Sequence, residues 1–316
     1  EDLGYFAAGM SEEVRNLLSG VDDLRVIART SSFALRETPA DIDAIREQLN
    51  VTHVLEGSVR QSGADIRITA QLVDATTSLQ VWSQTYDRTL SDVFAVQEEI
   101  SVEVLKHLTN SLFNPVAARR QPDPEAYRLY LKAVHLVNLE TSEKDVQGEA
   151  LIRRALEIDS DYVPAWRELG RILWRRIGLG PNVKEDIAET LNALERALAI
   201  EPDDAATLAY RGWHMADFDG DVVGGARLLE QALSIDAKNE HVIRPAVFYA
   251  IALERPEDAV TLGEYGIANN PLCNLCYAQL ATAYQNAGRF DEMEQTLRTA
   301  VSLFDRGYGF LGVALL

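Results

Sequence analysis

Cysteine is nearly absent: Cys273 and Cys276 are the whole complement of this 316-residue chain. Two cysteines cannot form the multi-bridge framework on which small secreted domains rely. With no His pair near them at ligand spacing, they cannot complete a four-ligand zinc site either. Basic residues are also scarce, with 30 Lys and Arg against 49 Asp and Glu and a formal net charge of -19. Nucleic-acid affinity comes from clustered cations that displace counterions from phosphate, so no DNA or RNA binding is expected of this chain. No apolar run approaches the roughly 20 residues that cross a bilayer as a helix, so no membrane insertion is expected. The histidines (His53, His107, His135, His214 and His241) are scattered, and none forms an H-E-x-x-H or other paired ligand spacing. Each reads as structural or solvated. Neither the phosphate-cradling G-x-x-x-x-G-K-[ST] nor the nucleophile-bearing G-x-S-x-G occurs.

What chemistry remains is thin. Asp217, Asp219 and Asp221 alternate like a calcium loop, but Gly220 precedes the third Asp and no Glu closes the loop, so a polar inter-helix turn is expected. Gly178 and Gly180 read as turn residues rather than a phosphate cradle. The pairs Glu12-Glu13, Glu98-Glu99 and Asp203-Asp204 lie near helix starts, where negative charge suits the dipole, and no partner base or nucleophile accompanies them. Cys273-Asn-Leu-Cys276 admits two readings. Thiols at a helix start can have a lowered pKa and act as a redox switch, or the two can be small apolar fillers of a helix seam; the second is carried forward. No catalytic residue, cofactor or metal is expected.

The composition shifts near residue 114, where Asn114-Pro115 and Arg119-Arg120-Gln121-Pro122-Asp123-Pro124 break the helical pattern. The expected organisation is an α+β domain over residues 1–113, a linker over 114–124 and an all-α array over 125–316. Both parts are acidic: residues 1–120 carry 18 acids and 11 bases, and residues 121–316 carry 31 and 19. In the first part, Met10, Val14, Leu17, Leu18 and Val21 recur at helical spacing, Arg25 to Arg29 is a short strand candidate, and Thr38-Pro39 starts a helix through Ile42, Ile45 and Leu49. Three strands follow, from Thr52 to Gln61, Ala64 to Asp74 and Leu79 to Arg88, with Ser62-Gly63 as a hairpin signal. In the second strand Ile66, Ile68, Ala70 and Leu72 face one way and Arg67, Thr69 and Gln71 the other. A closing helix places Val93, Val96, Ile100, Val104 and Leu108 on one stripe. The expected order is therefore α-β-α-β-β-β-α, an antiparallel-containing sheet with helices over one face. The opening at Glu1 without an initiator Met and the apolar close Gly309 to Leu316 lead us to expect a longer parent chain.

The second part repeats. Ala155-Leu-Glu-Ile-Asp159 recurs as Ala197-Leu-Ala-Ile-Glu-Pro202 and Ala232-Leu-Ser-Ile-Asp236, more weakly as Gly266-Ile-Ala-Asn-Asn-Pro271 and Ala300-Val-Ser-Leu-Phe-Asp305. The successive spacings are 42, 35, 34 and 34 residues, the first needing an insertion near Gly178-Leu-Gly-Pro181. Trp166-Arg-Glu-Leu169-Gly170, Tyr277-Ala-Gln-Leu280-Ala281-Thr-Ala-Tyr284 and Asn286-Ala-Gly288-Arg-Phe-Asp291 supply the matching first helices and turn. This pattern resembles the tetratricopeptide (TPR) repeat, with about five repeats and the start of a sixth; the fourth departs from consensus at Pro245. Small residues at Gly170, Gly212, Ala281 and Ala300 are expected where paired helices touch.

The first part carries Gly4-Tyr-Phe-Ala-Ala-Gly-Met-Ser-Glu-Glu13, Arg25-Val-Ile-Ala-Arg-Thr-Ser-Ser-Phe33, His53-Val-Leu-Glu-Gly-Ser-Val-Arg60, Arg67-Ile-Thr-Ala-Gln-Leu-Val-Asp-Ala75 and Trp82-Ser-Gln-Thr-Tyr-Asp-Arg88. Together these resemble the TolB amino-terminal/FlgO-like domain of bacterial multidomain proteins. The resemblance implies a place beside TPR repeats and downstream of a class III adenylate/guanylate cyclase domain or a winged-helix DNA-binding domain. It also implies either the periplasmic side of a membrane-anchored parent or the cytoplasm. Relatives usually begin with a further strand, which leaves a sheet position open here or filled from elsewhere. No catalytic role transfers with these motifs.

TPR arrays curl so that their first helices line a groove. The family's inward-facing positions, carried onto this sequence, are Tyr130, Arg167, Arg171, Trp174, Arg175, Trp213, Arg244, Phe248, Gln285 and Asn286. Arginine forks bind carboxylates in two-pronged fashion, and flat rings give contact area at low entropy cost. The expected function is a non-catalytic interaction or regulatory module of a larger signalling protein, with a protein or peptide partner that presents an acidic or C-terminal segment. The alternative at these residues is that the arginines pair with neighbouring acids such as Glu168 and the rings pack between repeats. Two further readings stay open: a regulatory segment of a class III nucleotide cyclase, and a small-ligand sensor. Homo-oligomerisation through an open sheet edge or the apolar end is a further expectation.

Overall fold

The computed structural model describes residues 4–21, 24–35, 41–62, 65–89, 92–108, 120–138, 141–177 and 183–304. They form two compact units, one within Glu1–Val26, Ile42–Arg46 and Asn50–Thr207, the other within Ile27–Asp41, Glu47–Leu49 and Leu208–Leu316.

The chain runs through helices α1 (Gly4–Ser19), α2 (Arg29–Ala34) and α3 (Ile42–Leu49) before strands β1 (His53–Ser62), β2 (Asp65–Asp74) and β3 (Leu79–Thr89) and helix α4 (Val93–Leu108). The strands form an antiparallel sheet in the order β1-β2-β3, with Val59 opposite Ile68 and Ile68 opposite Tyr86. The alternation in β2 has its expected physical result. Ile66, Ile68, Ala70 and Leu72 are buried, and Arg67 is exposed where its fork holds Asp87 at 2.6 and 3.0 Å. The turn after β2 is built by Asp74, whose Oδ1 accepts from the Thr76 and Thr77 amides at 2.7 and 3.1 Å, while Ser78 takes a positive φ of 56°.

The expected strand at Arg25 to Arg29 does not form. The Ala28 N–H goes instead to the Asn269 carbonyl at 2.8 Å, within the second unit, and the chain enters α2 at Arg29. The observed order is thus three helices, three strands and a helix. The Thr38-Pro39 helix start, the Gly63 turn and the insertion at 178–181 lie outside the described residues, as do residues 114–119 of the expected linker and the segment 309–316.

Apolar stripes set the packing of the first unit. Phe6, Met10, Val14 and Leu18 of α1, the buried residues of β2, and Val93, Val96, Ile100 and Val104 of α4 share one cluster. The same cluster continues through α5 (Pro124–Val137), α6 (Ser142–Ile158), α7 (Val163–Arg176) and α8 (Val183–Ile200). At the junction, buried Gln97 donates to the Tyr127 hydroxyl at 2.7 Å. Full burial of an apolar side chain such as Val93 or Ile100 contributes about 2 kcal/mol. Asp123 caps α5 by accepting from the Glu125 and Ala126 amides, with Pro124 pre-set for the first turn. Buried Asp159, at the end of α6, ties that end to the start of α5, accepting from Arg120 at 2.7 and 3.0 Å and from the Asp123 amide at 2.9 Å.

In the second unit the end of α9 (Ala205–His214) passes into a wide π turn, Met215–Asp219, and then into α10 (Val222–Asp236). Two further hairpins follow, α11 (Glu240–Ala252) with α12 (Pro256–Asn269), and α13 (Asn274–Asn286) with α14 (Phe290–Phe304). Asp221 caps α10 through the Gly224 amide, the duty that its place among the three alternating aspartates allows. Gly212 and Gly225 let α9 and α10 touch. A Cβ on Gly212 would lie 2.7 Å from the Gly225 carbonyl oxygen, and one on Gly225 would lie 1.9 Å from the Tyr249 hydroxyl. Gly170 plays the milder version of this part in the first unit, where a Cβ would stand 3.0 Å from Leu194. Ala281 is buried as expected, but Ala300 is only half-buried.

The cysteines correct the sequence reading. Cys273 and Cys276 are joined by a disulfide across the first turn of α13, so they are not separate apolar fillers of a seam. Cys273 is also the cap of that helix, its Sγ accepting from the Cys276 amide at 3.1 Å. Helical spacing of three residues brings the two sulfurs to one side of the turn, with 5.3 Å between the Cα atoms, and both residues are buried. Among the described residues, no helix is long and apolar enough to cross a membrane.

Candidate functional site

The ten residues expected to line a groove fall into two groups with different surroundings. In the first unit Tyr130 is buried and meets Tyr162 edge-on, ring centroids 5.1 Å apart. Burial drives the hydroxyls of both rings well above their ordinary pKa. Arg167 holds Asp204 at 2.9 Å, and Arg171 grips Glu168 through Nε and Nη2 at 2.9 and 2.6 Å. Arg175 donates to Asp145 at 3.0 Å and to the Val137 carbonyl at 3.2 Å, while Trp174 is half-buried. Arg176, one residue on, bridges Glu149 and Asp186. This basic cluster is thus held by carboxylates of the same unit, the arrangement expected where like charges on one helix must be neutralised away from bulk water.

The second unit differs. Trp213 of α9 and Phe248 of α11 stack with centroids 5.8 Å apart and planes 26° from parallel, so both first helices present rings to one side. Phe248 is 41% exposed, unusual for a ring this well placed to pack. Tyr210 and His241, one turn earlier on α9 and two turns earlier on α11, make a second pair, hydroxyl to Nδ1 at 2.9 Å. Arg244 stands between these pairs on α11. Its Nε is buried without a hydrogen-bond partner, and it makes no ion pair among the described residues. Gln279 of α13 donates to the Arg244 carbonyl at 3.4 Å, which extends the surface to a third first helix. Gln285 and Asn286 lie exposed at the end of α13, where Asn286 donates to the Thr282 carbonyl at 2.8 Å.

Pro245 inside α11 supplies no N–H to the preceding turn, so that turn lacks one helical hydrogen bond beside Arg244, while the helix itself runs on from Glu240 to Ala252. Partial desolvation raises the Asp217 carboxyl above its ordinary value, offset in part by the His214 imidazole and by the hydrogen bond from the Trp213 indole. The Tyr249 hydroxyl, pushed up to about 12 by burial, donates to the Gly212 carbonyl. Residues 210 and 213, and residues 241, 244 and 248, lie on one face at helical spacing. That spacing was the available signal for Tyr210 and His241, which the family positions passed over.

No family model matches the chain. Over 175 residues, 54% of this chain, it is 38% identical to "Putative adenylate cyclase 3" of Rhizobium meliloti (strain 1021), and the chain spans only 30% of that relative's length. Among solved structures, a thermophilic TPR protein of Thermus thermophilus superposes with a TM-score of 0.49 at 15% identity, over 60% of this chain and 96% of its own. PilW, a type IV pilus biogenesis factor, gives 0.46 at 15% identity, over 58% and 79%. The chain has a TPR-like fold, which its own consecutive helical hairpins and 34-residue spacing display, and it is a distant relative of the named cyclase.

Proposed function

We propose that this chain is a non-catalytic interaction and regulatory module of a larger bacterial signalling protein, and that its second unit binds a carboxylate-bearing peptide across Trp213, Arg244 and Phe248. One observation carries the reading: a partly buried guanidinium with an unmade hydrogen bond stands beside an exposed ring stacked on a second ring. An unpaired buried donor costs free energy until an acceptor arrives, and a carboxylate supplies it with charge. The rings would flank an apolar peptide side chain.

The motifs of the first 110 residues support a TolB amino-terminal/FlgO-like assignment for that part. The match to the Rhizobium protein favours a second, compatible reading in which the parent is a class III nucleotide cyclase and this segment regulates it.

The test uses fluorescent decapeptides of varied sequence ending in a free carboxylate, each paired with its C-terminal amide. Free acids are expected to bind at least tenfold tighter than amides, and Arg244→Glu is expected to weaken the tightest by about thirtyfold, near 2 kcal/mol. The circular dichroism of the variant should be unchanged. Equal affinity for acids and amides, or an Arg244→Glu protein that binds like the parent, removes the site.

A further inference from the structure

Residues 27–34 lie on the second unit, far from it in sequence, and are held there by an unusually complete set of polar contacts. The Ala28 amide donates to the Asn269 carbonyl at 2.8 Å. The Ser31 amide and hydroxyl both donate to Asn270 Oδ1, at 3.1 and 2.5 Å. The same hydroxyl oxygen accepts from the Leu272 amide at 2.7 Å. Asn270 is oriented for this by Glu240, whose carboxylate accepts from Nδ2 at 3.2 Å and so turns Oδ1 toward Ser31. Ser31 is 0% exposed and Asn270 4%, with Ile27 and Ala28 also buried.

We infer that the turn Asn269–Leu272, which joins α12 to α13, is a segment-recognition site that reads a neutral hydroxyl, and that residues 27–34 of this chain are its ligand in cis. The chemistry is selective. At Ser31 one oxygen must donate to Asn270 and accept from Leu272 at once, which an uncharged hydroxyl does and a carboxylate or methyl does not. A carboxylate at position 31 would replace the hydroxyl donor with an acceptor facing Asn270 Oδ1, leaving only the backbone amide to satisfy that oxygen, and would place negative charge near Glu240 in a dry site. Cys273, which follows the turn directly, caps α13 and is bonded to Cys276, so the receptor side is fixed before the segment arrives. This site is separate from the Arg244 surface, and the peptide reading can fail without it.

The experiment supplies the segment in trans to the full chain. A fluorescein-labelled peptide of residues 24–35 is titrated against three proteins: the parent, a cis-disabled Ala28→Pro/Ser31→Ala chain, and that chain with Asn270→Ala added. Binding at least tenfold tighter to the cis-disabled chain than to the other two is expected, with a peptide carrying Ser31→Asp at least tenfold weaker. Equal binding to all three overturns the proposal. Should the disabled chain not fold, amide exchange in full-length Ser31→Asp decides. The Ala28 amide, whose own bond to Asn269 does not involve the hydroxyl, should then exchange at least tenfold faster than in the parent. Unchanged Ala28 exchange would mean that the hydroxyl does not hold the segment.

Discussion

Gly225→Leu is expected to destabilise the protein by about 3 kcal/mol, the upper end of what overpacking costs. The position has no room: a Cβ there would lie 1.9 Å from the Tyr249 hydroxyl and 2.6 Å from the Gly212 carbonyl oxygen. The second of these is backbone and cannot swing aside. The first is pinned because that hydroxyl donates to the same Gly212 carbonyl. A leucine must therefore separate α9 from α10 and break the Tyr249 bond together. Gly288→Ala is the matched control. It has a positive φ of 72° and nothing within 4 Å, so it should cost only about 1 kcal/mol of backbone strain. Urea denaturation of both variants measures the difference. A Gly225→Leu loss no greater than the Gly288→Ala loss would show that the crossing is loose.

The second large effect lies in the first unit. Asp204 accepts from Arg167 at 2.9 Å, and from the Thr207 amide and hydroxyl at 2.8 and 2.5 Å, so one carboxylate neutralises a sheltered arginine and caps α9. Asp204→Ala is expected to cost about 3 kcal/mol, because it leaves the guanidinium and the helix amides without their acceptor. Asp204→Asn keeps the cap and loses the charge, so it should cost less than half as much. The carboxylate also sets an acid dependence. Burial acts to raise its pKa, but the Arg167 charge and the Thr207 bonds outweigh burial and hold it below the ordinary 3.8. A lowered folded pKa means stability present above pH 3.8 and lost as pH falls through the depressed value. Asp159, held low against its burial by Arg120 and the Asp123 amide, acts in the same direction. Stability measured from pH 6 down to pH 2 should therefore fall less steeply in Asp204→Asn than in the parent, and parallel curves would rule out this role for the pair.

Periodicity revealed most of the architecture. The alternation at 66–72 and the stripe from Val93 to Val104 became one buried sheet face and one buried helix face, and the Ala155, Ala197 and Ala232 repeats became second-helix ends whose alanines are buried. These signals are legible because burial at a fixed period is a property of one element and its neighbour. The segment at Arg25 to Arg29 was less so. Its branched residues favour a strand, yet its amide partner is Asn269, and no local rule contains a residue so distant. The site divided in the same way. Family positions pointed to Trp213, Arg244 and Phe248, of which the two rings stack; for Arg167, Arg171 and Arg175 the alternative of pairing with neighbouring acids such as Glu168 is what the structure shows, with the other two partners coming from outside α7. Likewise, the spacing of Cys273 and Cys276 permits both a bond and two separate thiols, and only their geometry in the fold chooses.

The disulfide has an energetic corollary. Because it ties residues only three apart, it closes a ring so short that loop-closure entropy gives it about 2 kcal/mol at most, against nearly 5 for a hundred-residue loop. A crosslink this local fastens no distant parts of the polypeptide. Its effect is to stiffen one helical turn, so mild reductants should lower global stability by no more than about 2 kcal/mol and act chiefly on the shape and breathing of the corner at Asn270.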